Sequence, residues 1–217
     1  MMLFTFLFFV IVVAGILITK KNRAVTPVLF AGILSAVLVC LFRMFFVFAH
    51  RVITYSFWNN FFYIAMNQTL LPVLILCGLF LLISRDPPEY KLDGLFPLTA
   101  SFYMVYLPFC IVSTSEGLYS AFSLFAKPVM FAAMLLMLSF SARQINKAAT
   151  GRKILPVFLF AALALVCLLI PAAIEAMYIL TANASVAFVC AAAFCVPPVL
   201  LLALRLASSV PIFVNKR

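Results

Sequence analysis

Seven apolar runs, each close to the length of a membrane-crossing helix, alternate with short polar segments along the chain. A helix needs about 20 apolar residues to cross the hydrocarbon of a bilayer. No run alternates apolar and polar residues with a period of two, so the pattern favours helices over strands. We therefore predict an all-α integral membrane protein, a single membrane domain with seven transmembrane helices at residues 2–19, 26–48, 61–84, 95–114, 119–140, 154–179 and 184–207.

The composition supports lipid as the surrounding solvent. The 217 residues are 68% hydrophobic and 9% charged, whereas soluble domains carry about 25% charged residues. The net charge of +10 does not indicate nucleic-acid binding, because the basic residues lie mostly in short segments between apolar runs, as membrane topology requires. We expect the lipid bilayer, and no nucleic acid, as a partner.

The positions of the basic residues predict an orientation. The first run has no basic residue before it and reads as a retained helix with the N-terminus outside. With seven spans, the C-terminus and eleven of the 15 basic residues then lie on the cytoplasmic side, which obeys the positive-inside rule. We expect the cell (inner) membrane as the location. The inner basic residues are Lys20, Lys21, Arg23, Arg85, Lys91, Arg143, Lys147, Arg152, Lys153, Lys216 and Arg217.

Two pairs of spans carry similar sequences in the same order. TPVLFAGILSAVLVCLF (26–42) matches LPVFLFAALALVCLLI (155–170), and LPVLIL (71–76) matches PPVLLL (197–202). The matches favour a parallel 3+1+3 repeat, with halves 1–84 and 119–207 and a linker helix 95–114; parallel repeats occur in transporters. This plan is similar to that of the SWEET sugar transporters and their PQ-loop relatives. The corresponding spans lack a proline-glutamine motif, so the likeness is one of plan. Chance similarity between apolar helices is the alternative.

A set of polar side chains interrupts four of the apolar runs at similar depth. With a rise of about 1.5 Å per residue, Lys127 lies roughly 10–12 Å below the outer end of its span, and the others fall in the same outer-leaflet layer. Charges inside a membrane are costly and mark functional sites by default. The candidate substrate-binding residues are Arg43, Asn67, Gln68, Lys127 and Glu175.

Lys127 and Glu175 have opposite charges on neighbouring spans, so we expect them to pair. Pro128 and Pro171 each remove a helix amide near them and release a carbonyl. With Arg43 the layer has one excess positive charge, which favours a small anionic ligand such as a carboxylate or a phosphate headgroup. Two other interpretations stay open: that the cations extend to the headgroups, and that the pair is structural without a ligand.

Other chemistry has little support in the sequence. Tyr103 and Tyr106 share one helix face, where they either line a cavity or bond neighbouring helices. No nucleophile–base arrangement and no metal-ligand spacing occurs among the six cysteines and one histidine. We therefore predict a protein that is not an enzyme and that carries no metal and no cofactor.

Three functions fit these features. The first is a small membrane transporter or permease subunit with an outer-leaflet polar site for an anionic solute or lipid headgroup. The second is a non-catalytic subunit or scaffold of a larger complex, with a partner subunit docking at the cytoplasmic loops, of which RDPPEYK (85–91) is the most distinctive. The third is a seven-helix ligand sensor.

Overall fold

The computed structural model describes residues 2–19, 25–46, 56–83, 95–113 and 120–209, and its regular elements in these ranges are all helices. Most of the segments that connect the helices lie outside the described residues. They include RDPPEYK at 85–91 and most of the basic residues that set the predicted orientation. The predicted docking loop and the predicted topology therefore stay predictions.

Seven helical stretches follow one another within the described residues, as the sequence predicts. Five are unbroken α-helices, and two, α3 and α5, contain a π-helical turn. The helices are α1 (Met2–Thr19), α2 (Val25–Phe46), α3 (Phe57–Ile64, π-turn Ala65–Leu70, then Leu71–Ile83), α4 (Leu95–Ser113), α5 (π-turn Phe122–Ala126, then Lys127–Thr150), α6 (Ile154–Thr181) and α7 (Ala184–Ser209).

Five helices are long and apolar enough to cross a membrane, which supports a membrane-embedded helical protein. Within the described part of the chain the two other apolar stretches, in α1 and α4, are shorter. The five long segments are Thr26–Met44, Phe57–Leu79, Phe122–Thr150, Ile154–Thr181 and Ala184–Ala203, and the shorter ones are Thr5–Ala14 and Leu95–Cys110.

Two predicted boundaries are wrong. Helix α5 does not end at 140 but continues to Thr150, because Arg, Gln, Lys and Ala, which dominate this segment, are good helix formers although they are not all apolar. The helix ends where the Lys153 amide donates to the Ala148 carbonyl and Arg152 takes a left-handed φ of 51°, a helix-ending pattern usually built on glycine. Helix α3 begins at Phe57, not at 61.

Helices α4 and α5 form the centre of the protein. Phe102 and Leu107 of α4 are fully buried in a core that also includes Phe9 of α1, Ala36 of α2 and Met134 of α5. The apolar segment of α5 is 72% buried, against 17% for that of α7. Since α7 exposes apolar side chains on most of its surface, it lies at the periphery, where lipid would cover it.

The packing bears on the proposed repeat only in part. Helices α5, α6 and α7 contact one another, whereas α1 and α2 both pack against α4. Helix α3 bridges the two groups by contacting α4 and α6. The 3+1+3 repeat stays a prediction.

Close packing of α2 on α4 depends on Gly32. A β-carbon there would lie 2.0 Å from the Ser101 hydroxyl and 2.5 Å from the Leu98 carbonyl oxygen. The backbone carbonyl cannot rotate away, so Gly32→Ala should force the helices apart and destabilise the protein by about 1–3 kcal/mol. Thermal unfolding in detergent measures the effect. Gly78→Ala is the control, because a β-carbon at Gly78 meets nothing within 4 Å; equal melting temperatures for the two variants would contradict this packing.

Candidate functional site

Lys127 of α5 and Glu175 of α6 form a buried ion pair. The Lys127 Nζ lies 2.8 Å from the Glu175 Oε1, and the two side chains are 2% and 10% exposed. The structure thus brings together the two residues whose opposite charges suggested pairing. Neither residue reaches toward the protein surface, as the alternative of two independent headgroup contacts requires.

Gln68 of α3 joins this pair. Its Nε2 donates to the same Glu175 Oε1 at 3.3 Å, so both hydrogen bonds of the carboxylate within the described residues use one oxygen. Gln68 is 2% exposed, and its own Oε1 has no hydrogen-bond partner among the described residues. Three helices therefore meet at one carboxylate, beside a buried amide oxygen that accepts nothing.

Asn67 does not bring its side chain to this group. Its Nδ2 donates to the Tyr63 carbonyl one turn earlier in the same helix. Consecutive residues of a helix point in different directions, so Asn67 and Gln68 cannot both face Glu175. The backbone carbonyl of Asn67, however, accepts a hydrogen bond from the Tyr106 hydroxyl.

Arg43 of α2 lies against α4 and does not contact Glu175. Its Nη1 donates to the Tyr106 hydroxyl at 2.9 Å and to the Cys110 Sγ at 3.1 Å. The guanidinium carbon lies 5.9 Å from the centre of the Tyr106 ring, within the range of a cation–π contact. Arg43 is only 9% exposed, so its side chain is buried and does not extend freely to the headgroups. Tyr106 links it to the Asn67 carbonyl.

The hydrogen bonds of Tyr103 and Tyr106 compensate for a break in the backbone hydrogen bonding of α3. The Leu71 amide reaches back five residues to the Met66 carbonyl, and Pro72 has no amide. In an unbroken α-helix these two amides would serve the carbonyls of Asn67 and Gln68.

Two tyrosines of α4 take the place of the missing amides. Tyr106 donates to the Asn67 carbonyl, and Tyr103 donates to the Gln68 carbonyl at 2.9 Å. Both tyrosines are almost completely buried. Of the two roles left open for these tyrosines, bonding a neighbouring helix is therefore the one that the structure supports.

Helix α5 contains the same kind of break one residue before Pro128. The Lys127 amide reaches back five residues to the Phe122 carbonyl, and Pro128 supplies no amide. The carbonyls of Ser123 and Leu124 lose their α-helical donors in the same way. Lys127 therefore stands directly at the end of a π-turn, a feature that is frequent at functional sites. Pro171 of α6, which lies one turn before Glu175, likewise releases the Cys167 carbonyl.

We call Arg43, Gln68, Tyr103, Tyr106, Lys127 and Glu175 the polar layer. Sequence reasoning placed four of them in the candidate site and left both tyrosines outside it. It also gave Cys110 no role, although 103, 106 and 110 recur at helical spacing on one face of α4. Counting the carbonyls that prolines release would have pointed to the tyrosines. A proline in a membrane helix leaves a carbonyl that needs a buried donor on a neighbouring helix.

The layer combines cationic donors with acceptor oxygens. Glu175 is the only acidic residue among those that the structure describes, Lys127 pairs with it, and Arg43 is a second buried cation of the layer. The arrangement can bind an anion through Lys127 or Arg43, and it can accept a hydrogen bond through Gln68 or Glu175. Among the described residues no group of three or more His, Cys, Asp or Glu side chains is placed to hold a metal ion.

Removing either tyrosine hydroxyl should destabilise the protein. Tyr103→Phe and Tyr106→Phe each leave a buried carbonyl of α3 without a donor, which costs about 1–3 kcal/mol. The measurement is the free energy of unfolding in detergent. Tyr178→Phe is the matched control, because its ring stacks on Phe122 and its hydroxyl makes no hydrogen bond to the described residues. Three equal effects would show that the hydroxyls do not serve the broken helix.

The buried ion pair should behave as a unit. Lys127→Met and Glu175→Gln each leave one buried polar partner uncompensated, and each should cost about 3–5 kcal/mol. The double variant should lose clearly less than the sum of the single losses, as a double-mutant cycle reveals for groups in contact. Lys147→Met, on an exposed position of the same helix, should change little. Additive losses would argue against direct contact.

Comparison with known proteins adds no assignment. No family model, curated protein or solved structure matches this chain. The similarity of plan to the SWEET transporters therefore remains an expectation from the sequence. The function must be inferred from the geometry of the polar layer.

Proposed function

We propose that the protein is a small membrane transporter or permease subunit, and that its polar layer binds an anionic solute or headgroup. The observation that carries the proposal is the buried Lys127–Glu175 pair beside π-turns in α3 and α5. Ionisable residues within a membrane are rare and usually line ion or substrate pathways. Helices that are interrupted near such residues are typical of transporter binding sites.

A purely structural role explains the pair less well. Desolvating two charges offsets most of their attraction, so apolar residues of similar volume often stabilise a protein equally well. A lysine and a glutamate at the centre of three helices are therefore not needed for stability alone. Their presence is explained if Glu175 is a counter-ion of Lys127 that a bound solute can replace.

In this proposal Glu175 acts as the internal anion that occupies Lys127 when no solute is bound. An incoming carboxylate or phosphate group competes for the lysine ammonium and displaces the glutamate, which keeps its hydrogen bond to Gln68. Arg43 supplies the second positive charge of the layer. The breaks in α3 and α5 give each helix a point at which it can bend while the layer exchanges partners.

We also propose an orientation of the chain in the membrane and the membrane in which it lies. We place the N-terminus outside, the C-terminus in the cytoplasm and the polar layer in the outer half of the cell (inner) membrane, because the basic residues follow the positive-inside rule. A solute would reach the layer from outside. A partner subunit docking on the cytoplasmic loops fits a permease subunit that is driven by a separate motor.

Uptake into proteoliposomes tests the proposal. The full chain is reconstituted, and accumulation of radiolabelled phosphate, lactate and glycerol 3-phosphate is measured. We expect at least one anion to accumulate, and Lys127→Met and Glu175→Gln to lower its initial rate at least tenfold because the counter-ion exchange is lost. Lys147→Met should keep the rate of the unmodified protein.

Two results would contradict the proposal. One is the absence of uptake for all three anions in the unmodified protein. The other is uptake that Lys127→Met and Glu175→Gln leave unchanged while both variants fold. Each variant is therefore first checked for a single symmetric peak in gel filtration.

A further inference from the structure

Gln68 contains an acceptor that the anion proposal does not use. Its Oε1 is buried and has no hydrogen-bond partner in the part of the chain that the structure describes, and the side chain is only 2% exposed. Buried polar groups in native proteins nearly always have a partner. An orphan acceptor in the middle of a candidate site therefore points to a donor that the bound solute supplies.

The orientation of the Gln68 amide is determined by its neighbour. The Nε2 donates to the Glu175 Oε1, which also accepts from the Lys127 Nζ. A carboxylate accepts hydrogen bonds and does not donate them, so turning the amide over would place two acceptors together. The oxygen of the Gln68 amide is therefore the atom left without a partner, and the nitrogen is the one that bonds Glu175.

Glu175 offers a second acceptor near it. Both hydrogen bonds that Glu175 accepts within the described residues end on Oε1, which leaves Oε2 to accept from a ligand. The carboxylate and the amide are held together by their own hydrogen bond. The layer thus combines two acceptor oxygens, the Gln68 Oε1 and the Glu175 Oε2, with the Lys127 ammonium that pairs with Glu175.

The charges of the layer decide between the two common donors, a hydroxyl and an ammonium group. Arg43 and Lys127 against Glu175 give a net charge of +1 among the described residues of the layer. A hydroxylated anion neutralises that charge and satisfies the acceptors. A zwitterion satisfies the acceptors but leaves the excess charge in place.

We infer that the solute is a hydroxylated anion, a hydroxy acid or a hydroxylated phosphate ester, whose hydroxyl donates to Gln68. This inference rests on the proposed function and narrows its substrate class. Lys127 binds the acidic group, and Gln68 distinguishes the hydroxyl from a hydrogen atom. A site that hydrogen-bonds a substrate hydroxyl rejects the analogue without it, because its buried polar group is then left unpaired.

Calorimetric binding to the purified full chain in detergent tests the inference with matched compounds. Lactate, propionate and alanine differ only in a hydroxyl, a hydrogen or an ammonium at one carbon, and glycerol 3-phosphate and propyl phosphate form a second comparison. We expect the hydroxylated member of each set to bind at least tenfold more tightly than the member without a hydroxyl. Alanine should bind more weakly than lactate.

Variants at two adjacent positions separate the role of the Gln68 oxygen from general damage. Gln68→Met keeps the length of the side chain and removes the acceptor, so the preference for lactate over propionate should fall below about threefold while propionate binding is kept. Asn67→Leu is the control, because the Asn67 side chain bonds its own helix; the preference should survive there.

The outcomes distinguish this inference from the proposed function. Equal binding of lactate and propionate to the unmodified protein overturns the inference and leaves Lys127-dependent anion binding intact; this comparison needs no variant to fold. A preference that persists in Gln68→Met also overturns it, because a group other than the Gln68 oxygen then recognises the hydroxyl. If no compound binds, both the inference and the proposed function fail.

Discussion

Backbone carbonyl groups that a membrane helix releases must find donors inside the protein, and this constraint organises the centre of the bundle. There is no water in the hydrocarbon to serve them, so each unpaired group is costly. The break at Pro72 releases two carbonyls of α3, and two tyrosines of α4 supply the donors. Those hydrogen bonds fix how α3 lies against α4 and which side chains of α3 face inward.

The ion pair depends on the same break. Because the tyrosines hold the Asn67 and Gln68 backbone against α4, the Gln68 side chain points to α6 and meets Glu175. Lys127 reaches the same carboxylate from the end of the π-turn in α5. Two irregular helices thus deliver an amide and an ammonium to one acid. This convergence gives the proposed exchange of counter-ions its physical basis.

The site residues show what a sequence can and cannot indicate. Lys127 and Glu175 stood out because charge in an apolar run is costly, and their similar depth followed from helix rise. Asn67 stood out as a polar residue in an apolar run, yet its side chain bonds its own helix. The depth of a residue along its helix axis follows from the sequence. The direction in which its side chain points around that axis depends on the neighbouring helices. It also depends on the π-turn, which rotates the residues beyond it about the axis. The sequence named no partner for Arg43, and in the structure its guanidinium meets Tyr106 and Cys110.

By itself the sequence determined the helical class, the number of helices and most of their limits, because apolar run length and the positions of polar segments depend on local chemistry. It misjudged the end of α5, where residues that favour a helix are not all apolar. Only the tertiary structure decided that α4 and α5 are central, that tyrosines donate to the carbonyls released in α3, and that Gln68 keeps a buried oxygen without a partner among the described residues. Those features arise from contacts between residues tens of positions apart, and no local pattern encodes which faces of two helices will meet.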